Sequence, residues 1–305
     1  MKQMKKKRGI RSIILLLIAV LMFGTATGCK RESFSFSSMG DAEYTEQGLE
    51  VRLYGLSEDK TEYMVTGIGN CTDTDIVIPE SYKGLPITGI GDRAFMDCSN
   101  ITSVIIPNSV ITIERWAFKN CTNLSEIQLS NNLGLLFGSA FDNCISLASI
   151  SLPASLTIIE GIPFSGCCGL IDITVDSGND IYHSNGNCVI ETATKTLIRG
   201  CPNSVIPDDG SVTKLGSGSF DGCINVKSFV IPDSIEIIGS SAFANCTSLE
   251  SVYIPTSVTS IGVNAFSGSN LTNVYYAGTE SEWYDINIED YDNSLTQANR
   301  HYNSK

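Results

Sequence analysis

The chain is poor in the residues on which most enzymes and nucleic-acid binders depend. Of 305 residues only two are histidine, His183 and His301, and two are tryptophan. His183 follows Tyr182 in what reads as a solvated loop, and His301 lies in the C-terminal tail, outside any repeated motif. There is no G-x-S-x-G elbow, no glycine-rich phosphate loop and no Cys/His cluster presenting four ligands at one point. Sequence alone therefore points to no catalytic residues, no metal and no cofactor. Basic charge is scarce as well. The first 28 residues hold six of the 20 Lys and Arg and no acid, so the remainder sets 14 cations against 33 carboxylates, a net charge of −19. Such a surface repels phosphate, and no basic stripe offsets it, which excludes nucleic acid as a partner. Charged residues reach only 17%, against 42% hydrophobic, so the chain has the material for a core.

A long apolar run is missing too. The longest, Ile13 to Phe23, has eleven residues, short of the roughly 17–25 that span a bilayer. It follows a basic stretch (Lys2, Lys5, Lys6, Lys7, Arg8 and Arg11) and leads through Ala26, Thr27 and Gly28 to Cys29. This is the pattern of a signal peptide over residues 1–28. Ending it on cysteine resembles the bacterial lipobox, in which cleavage falls before the cysteine and its sulfur carries a diacylglycerol. Gly28 fits that pattern, while Ala26 replaces the commoner leucine. The resemblance implies lipidation of Cys29 and an exported chain anchored to a membrane on the cell-surface side; ordinary cleavage would release a soluble protein instead. One cysteine can carry two or three acyl chains, enough for stable anchoring. Residues 29–48, rich in serine and polar groups, read as a tether.

What the sequence has in abundance is repetition. Phe95, Phe118, Phe141 and Phe164 lie 23 residues apart, and so do Phe220, Phe243 and Phe266. All but the last have a cysteine three residues on: Cys98, Cys121, Cys144, Cys167, Cys223 and Cys246. An apolar residue follows (Ile101, Leu124, Leu147, Leu170, Val226, Leu249), then alternating pairs such as Val104/Ile106, Ile127/Leu129 and Val252/Ile254. Proline closes several of these stretches, at Pro107, Pro153, Pro232 and Pro255. Period-two alternation over five residues is a strand with one buried face, stopped by proline. Apolar residues three apart come next (Val110/Ile113, Ile235/Ile238), and the Ala-Phe-x-x-Cys stretch returns the chain as a short turn or helical piece. No unit of this size buries its own apolar side, so the units must stack.

The pattern Ala-Phe-x-x-Cys-x-x-Leu-x-x-Ile-x-Ile-Pro resembles the BspA-type leucine-rich repeat, over nearly the whole chain beyond Leu49. The resemblance implies a leucine-rich-repeat solenoid of about nine coils, α/β to mostly β, with a parallel sheet on one face and turns or short helical pieces on the other. The solenoid is expected over 49–305. It has an N-terminal cap (49–94), a hairpin-like insert (177–206) and a C-terminal cap (272–305) that includes Trp283.

One cysteine per coil at one phase reads as a buried structural column rather than a redox or metal centre. Cys188 and Cys201, both in the insert, are the candidates for a disulfide. Six Asn-x-Ser/Thr sequons follow from the repeat, three of them Asn-Cys-Thr turns at Asn70, Asn120 and Asn245. The candidate binding surface is the outward strand face. Each strand offers one exposed central residue, giving Ile105, Gln128, Ser151, Thr174, Val230, Tyr253 and Tyr275, flanked by Ser103, Glu126, Ser149, Asp172, Ser228, Ser251 and Asn273. Val230, Tyr253 and Tyr275 make its aromatic-apolar end, with Gln128, Glu126 and Asp172 as polar candidates. An anchored solenoid with such a face is expected to be a non-enzymatic binding protein. The family resemblance implies adhesion to host, matrix or bacterial proteins. Capture of glycans or peptides for uptake, or a purely architectural role in the envelope, are the other readings.

Overall fold

The computed structural model describes residues 39–54, 61–289 and 293–304; Cys29 and the signal segment lie outside them. Asp41–Lys305 forms one compact unit. It opens with an antiparallel cap of β1 (Ala42–Tyr44), β2 (Glu50–Tyr54) and β3 (Glu62–Gly67). The cap thus starts before Leu49, because Ala42–Tyr44 pairs with Glu50–Arg52 and takes part of the expected tether into the fold.

About ten coils follow, with two strands in a regular coil. The outward strands are β4 (Asp75–Val77), β7 (Ser103–Ile105), β9 (Glu126–Gln128), β11 (Ser149–Leu152) and β13 (Asp172–Val175) in the first half. Alternating with them are β5 (Ser81–Tyr82), β6 (Leu85–Ile90), β8 (Thr112–Ile113), β10 (Leu135–Leu136) and β12 (Ile158–Ile159). The insert is a three-stranded antiparallel meander: β14 (Tyr182–Asn185), β15 (Cys188–Glu191) and β16 (Thr196–Gly200). Beyond it come β17 (Lys214–Leu215), β18 (Ser228–Val230), β19 (Ile237–Ile238), β20 (Ser251–Ile254), β21 (Ser260–Ile261) and β22 (Asn273–Tyr276). The C-terminal cap holds α1 (Glu280–Tyr284), β23 (Asn287–Ile288), α2 (Asn293–Gln297) and β24 (Asn299–His301).

The structure refines two expectations. Apolar residues three apart, as in Val110/Ile113, mark two-residue strands that pair in parallel from coil to coil, so β6, β8, β10 and β12 build a second ladder instead of plain turns. The Ala-Phe-x-x-Cys stretch is a turn and not a helix. It carries a left-handed residue on each side of the phenylalanine, for example Trp116 (φ 55°) and Asn120 (φ 60°) about Phe118. The second of these positions is Asp97, Asn120, Asn143, Gly166, Gly222, Asn245 or Gly268, the residue types that enter this region at least cost. Helix is confined, among the described residues, to the C-terminal cap. There Thr279 and Glu282 form a capping box, and Trp283 is buried edge-on to Tyr276 at 5.3 Å.

The core is columnar. Phe95, Phe118, Phe141 and Phe164 stack at 5.1, 5.3 and 5.6 Å with planes within 5°. Phe220, Phe243 and Phe266 do the same at 5.3 and 5.1 Å. Every one of these rings is buried, each burial worth about 1.5–3 kcal/mol. The cysteine column fills the gap beside them. Cys121, Cys144, Cys167 and Cys246 each donate Sγ–H to the phenylalanine carbonyl of the preceding coil at 3.0–3.2 Å, to Phe95, Phe118, Phe141 and Phe220 respectively. Burial pushes their thiol pKa values up, that of Cys121 to about 12; these are inert hydrogen-bond donors. Cys98, at the start of the column, is only half-buried and reaches its own Met96 carbonyl at 3.8 Å.

The two phenylalanine columns are separated by the insert. Gly200 takes the phenylalanine position of that coil, its N–H donating to Ser219 as Phe118 donates to Ala140. The Phe220 ring occupies the space where a Gly200 side chain would stand. Alongside, Asp221 reaches back to Ser165 Oγ and forward to Asn245 Nδ2, clamping the flanking coils together. The expected disulfide is not formed: Cys188 and Cys201 are buried free thiols. The register pairs Cys188 with Gly200, so Cys201, one residue on, faces the opposite way.

Candidate functional site

Inward alternation fixes what the outward face displays. In the third block of that face, the parallel register aligns Val230 with Tyr253, Tyr253 with Tyr275, and Tyr275 with His301. The strand spacing of about 4.8 Å brings the rings into contact. Tyr253 and Tyr275 stack at 4.5 Å and 11°, and Tyr275 and His301 at 4.7 Å and 16°. His301 Nε2 hydrogen-bonds Asn273 Oδ1 at 2.9 Å, which fixes the imidazole plane. Val230 is 68% exposed at the head of this row, His301 is exposed at its foot, and the two tyrosines between are half-buried.

His301 is therefore part of the face and not of a loose tail. Nothing in the 23-residue spacing marks it, because the C-terminal cap breaks the repeat before delivering β24. Sequence reasoning also passed over Val205. It precedes Ile206 and Pro207 as Val230 precedes Ile231 and Pro232, and it is 72% exposed, but the insert hides its phase. Its N–H bonds Gly186 O, beside Asn187, whose amide in turn caps Ile171 O and Ile173 N. Ile171 is exposed as well. Exposed apolar residues therefore occur both at the insert, in Ile171 and Val205, and in the third block of the face, where Val230 heads the ring stack.

The polar candidates lie elsewhere. Glu126 and Gln128 stand on β9 and Asp172 on β13, all exposed, in the two other blocks of the face. Gln128 lies five strand steps, about 24 Å, from Tyr253, so β9 does not join the aromatic row in one small site, while Asp172 stands on β13, nearer to it along the chain of coils. The N-terminal end is apolar again, with Val77 and Ile105 exposed in register. Gln47 closes the strand edge there by accepting from Val77 N and donating to Asp75 O.

Chemistry-bearing groups are dispersed. His183 sits on β14, half-buried and hydrogen-bonded to Thr192 Oγ1 at 2.8 Å. Among the described residues no group of three His, Cys, Asp or Glu is placed to hold a metal ion, and no helix is long and apolar enough to cross a membrane.

Parallel coils, an inward register of Leu, Ile, Val and Phe, and a displayed strand face in three ladders define a leucine-rich-repeat solenoid. More narrowly, the chain belongs to the BspA-type leucine-rich-repeat family, whose repeat matches residues 69–188 and 199–286 in six copies. Among solved structures it is similar to a leucine-rich repeat protein from Eubacterium ventriosum. That match has 17% identity over 86% of this chain and 84% of the other, with a TM-score of 0.54. It is also similar to a leucine-rich repeat protein of T. pallidum, with 26% identity over 74% of this chain and 88% of the other and a TM-score of 0.47. A leucine-rich cell surface protein from Faecalibacterium prausnitzii matches at 22% identity over 84% and 100%, with a TM-score of 0.31. A comparison with curated proteins finds no match.

Proposed function

We propose that this chain is a non-enzymatic binding protein of the bacterial cell surface that engages protein partners through the C-terminal half of its outward face. The observation that carries this reading is the in-register row Val230, Tyr253, Tyr275 and His301. The pre-stacked tyrosine rings offer apolar area whose side-chain entropy is already largely spent, and tyrosine is favoured at binding hot spots; Val230 adds exposed apolar area beside them. The N-terminal signal and Cys29 support export and lipid anchoring.

The ring geometry also weighs against glycan capture. Sugars stack on open aromatic faces, but here Tyr253 and Tyr275 spend facing surfaces on one another and on His301. What the row presents is ring edges and hydroxyls, suited to side chains of a protein partner.

The test uses the chain with Cys29→Ser on arrays of matrix proteins and glycans, beside a variant that adds Tyr253→Ser and Tyr275→Ser. A protein hit lost in the variant is the expected result. Glycan hits alone would promote the uptake reading, and protein hits unchanged in the variant would move the site off this row. Incorporation of labelled fatty acid into the chain, abolished by Cys29→Ser, is the corresponding result for the anchor.

A further inference from the structure

The Ala-Phe-x-x-Cys turns stack through one repeated set of bonds, and at the first turn that set is half missing. Between the first two turns, the N–H groups of Arg93, Phe95 and Asp97 donate to the carbonyls of Arg115, Ala117 and Lys119 at 3.1, 2.7 and 2.8 Å. Cys121 Sγ–H returns a bond to Phe95 O. Later turns repeat the arrangement, with Ser139, Phe141 and Asn143 donating to Ile162, Pro163 and Ser165. Most turns thus offer two or three carbonyls toward the turn before them, which meets them with the N–H groups at its phenylalanine and at left-handed residues two positions away, as at Arg93 (φ 57°) and Asp97 (φ 64°).

Among the described residues no such coil precedes the first turn. Asp92, Ala94 and Met96, the counterparts of Arg115, Ala117 and Lys119, receive no backbone N–H among the described residues. Cys98 has no phenylalanine carbonyl to reach and settles for the 3.8 Å contact with Met96 O. The cap stays with the ladder as far as Gly91 N, which donates to Val65 O, and then departs. Between its Thr66–Asn70 loop and the Ala94–Cys98 turn lies an open cleft of about 590 Å³, with Tyr44, Glu50 and Arg93 at its rim. Phe95 beneath is already fully buried, so the cleft needs no further side chain to complete the core.

We propose that this cleft binds a peptide segment of a partner protein in the turn conformation that the Ala-Phe-x-x-Cys stretches adopt. The segment donates three alternate backbone N–H groups to Asp92, Ala94 and Met96 and accepts the Cys98 thiol at the middle carbonyl. The chain itself supplies the template, since each later turn is held in this way by the turn before it. With Phe95 covered, the residue that faces inward must be glycine or alanine. Recognition is of main chain, as in strand addition to an open edge. It is independent of the outward strand face and lies at the opposite end of the solenoid.

The probe is an acetylated, amidated hexapeptide with the sequence of Gly138–Asn143 carrying Phe141→Gly. It is titrated into the isotope-labelled Cys29→Ser chain and followed by amide chemical shifts. Saturable shifts confined to Thr66–Asn70 and Ala94–Cys98 are expected at millimolar peptide. N-methylation of the three donor amides should weaken binding about tenfold or more. No shift at millimolar peptide would overturn the proposal. So would equal binding by the N-methylated peptide, because the cleft would then be reading something other than N–H donors.

Discussion

Gly200 offers the sharpest test of how the two halves of the core meet. A Cβ built on it would lie 2.2 Å from Phe220 Cε1 and 2.6 Å from Cζ, inside any tolerated contact. The ring cannot step aside, for it is fully buried between Phe243 at 5.3 Å and Phe229 at 4.9 Å. Gly200 does not have a positive φ, so the cost of Gly200→Ala is overlap and not backbone strain. Overpacking of this kind costs about 1–3 kcal/mol, a fall in Tm of roughly 2–10 °C for a unit this large. Urea and thermal unfolding of Gly200→Ala, Phe220→Leu and the double variant measure it. Gly67→Ala serves as control, since its nearest neighbour would be Glu50 Cβ at an ordinary 3.6 Å. Shortening the ring should relieve the overlap, giving a favourable coupling of about 1 kcal/mol or more. Strict additivity, or a Gly200→Ala change no larger than that of the control, would refute the packing argument.

Glu114 gives a pH signature. Desolvation, helped by nearby Asp92 and Glu160, raises its pKa to about 7. A carboxyl raised in the folded state binds its proton more tightly there, so stability falls as pH rises from about 4.5 through 7 and then levels. Glu114→Gln should flatten that part of the profile and stabilise the fold at pH 8 by about 1–2 kcal/mol, after allowance for solvent screening; denaturant midpoints at pH 5 and 8 test this. Thiol labelling of the folded Cys29→Ser chain should modify the half-buried Cys98 and Cys168 first, with the buried ladder reacting only on unfolding; early adducts mapped by mass to the buried ladder would refute this. Asn120 holds φ 60° and bridges Asp97 and Asn143 through its amide at 2.6 and 3.0 Å. Asn120→Ala should cost about 1–2 kcal/mol and Asn120→Gly less, a ranking that calorimetry can check.

The repeat was open to reading because it is chemistry of one side chain at one phase. Seven phenylalanines and their cysteines declare a column, and alternation declares which strand residues face out. That is how Tyr253 and Tyr275 could be placed on one face before any coordinates. The second ladder was not legible, since Thr112–Ile113 and its counterparts are two residues long and show no alternation. Val205 and His301 escaped for a related reason. The insert and the cap shift the count by amounts the spacing does not announce, so exposed residues there look like loop and tail. The absence of a Cys188–Cys201 bond rests on a one-residue offset in strand register, and cysteine positions alone do not encode it.

The vertical bonding has a consequence for how such a chain can change length. Within a Phe column the junctions are built alike, amide to carbonyl and ring to ring, with a thiol-to-carbonyl bond at all but the last, where Ser269 turns to its own Phe266 carbonyl. A coil could be duplicated or lost within either column without rewriting its neighbours, and the displayed face would lengthen or shorten by one strand. The seam at Gly200 has no such freedom, since its glycine, the Phe220 ring and the Asp221 clamp fit only each other. Variation in coil number among descendants of this sequence should therefore accumulate on either side of the seam, with the seam itself inherited as a block.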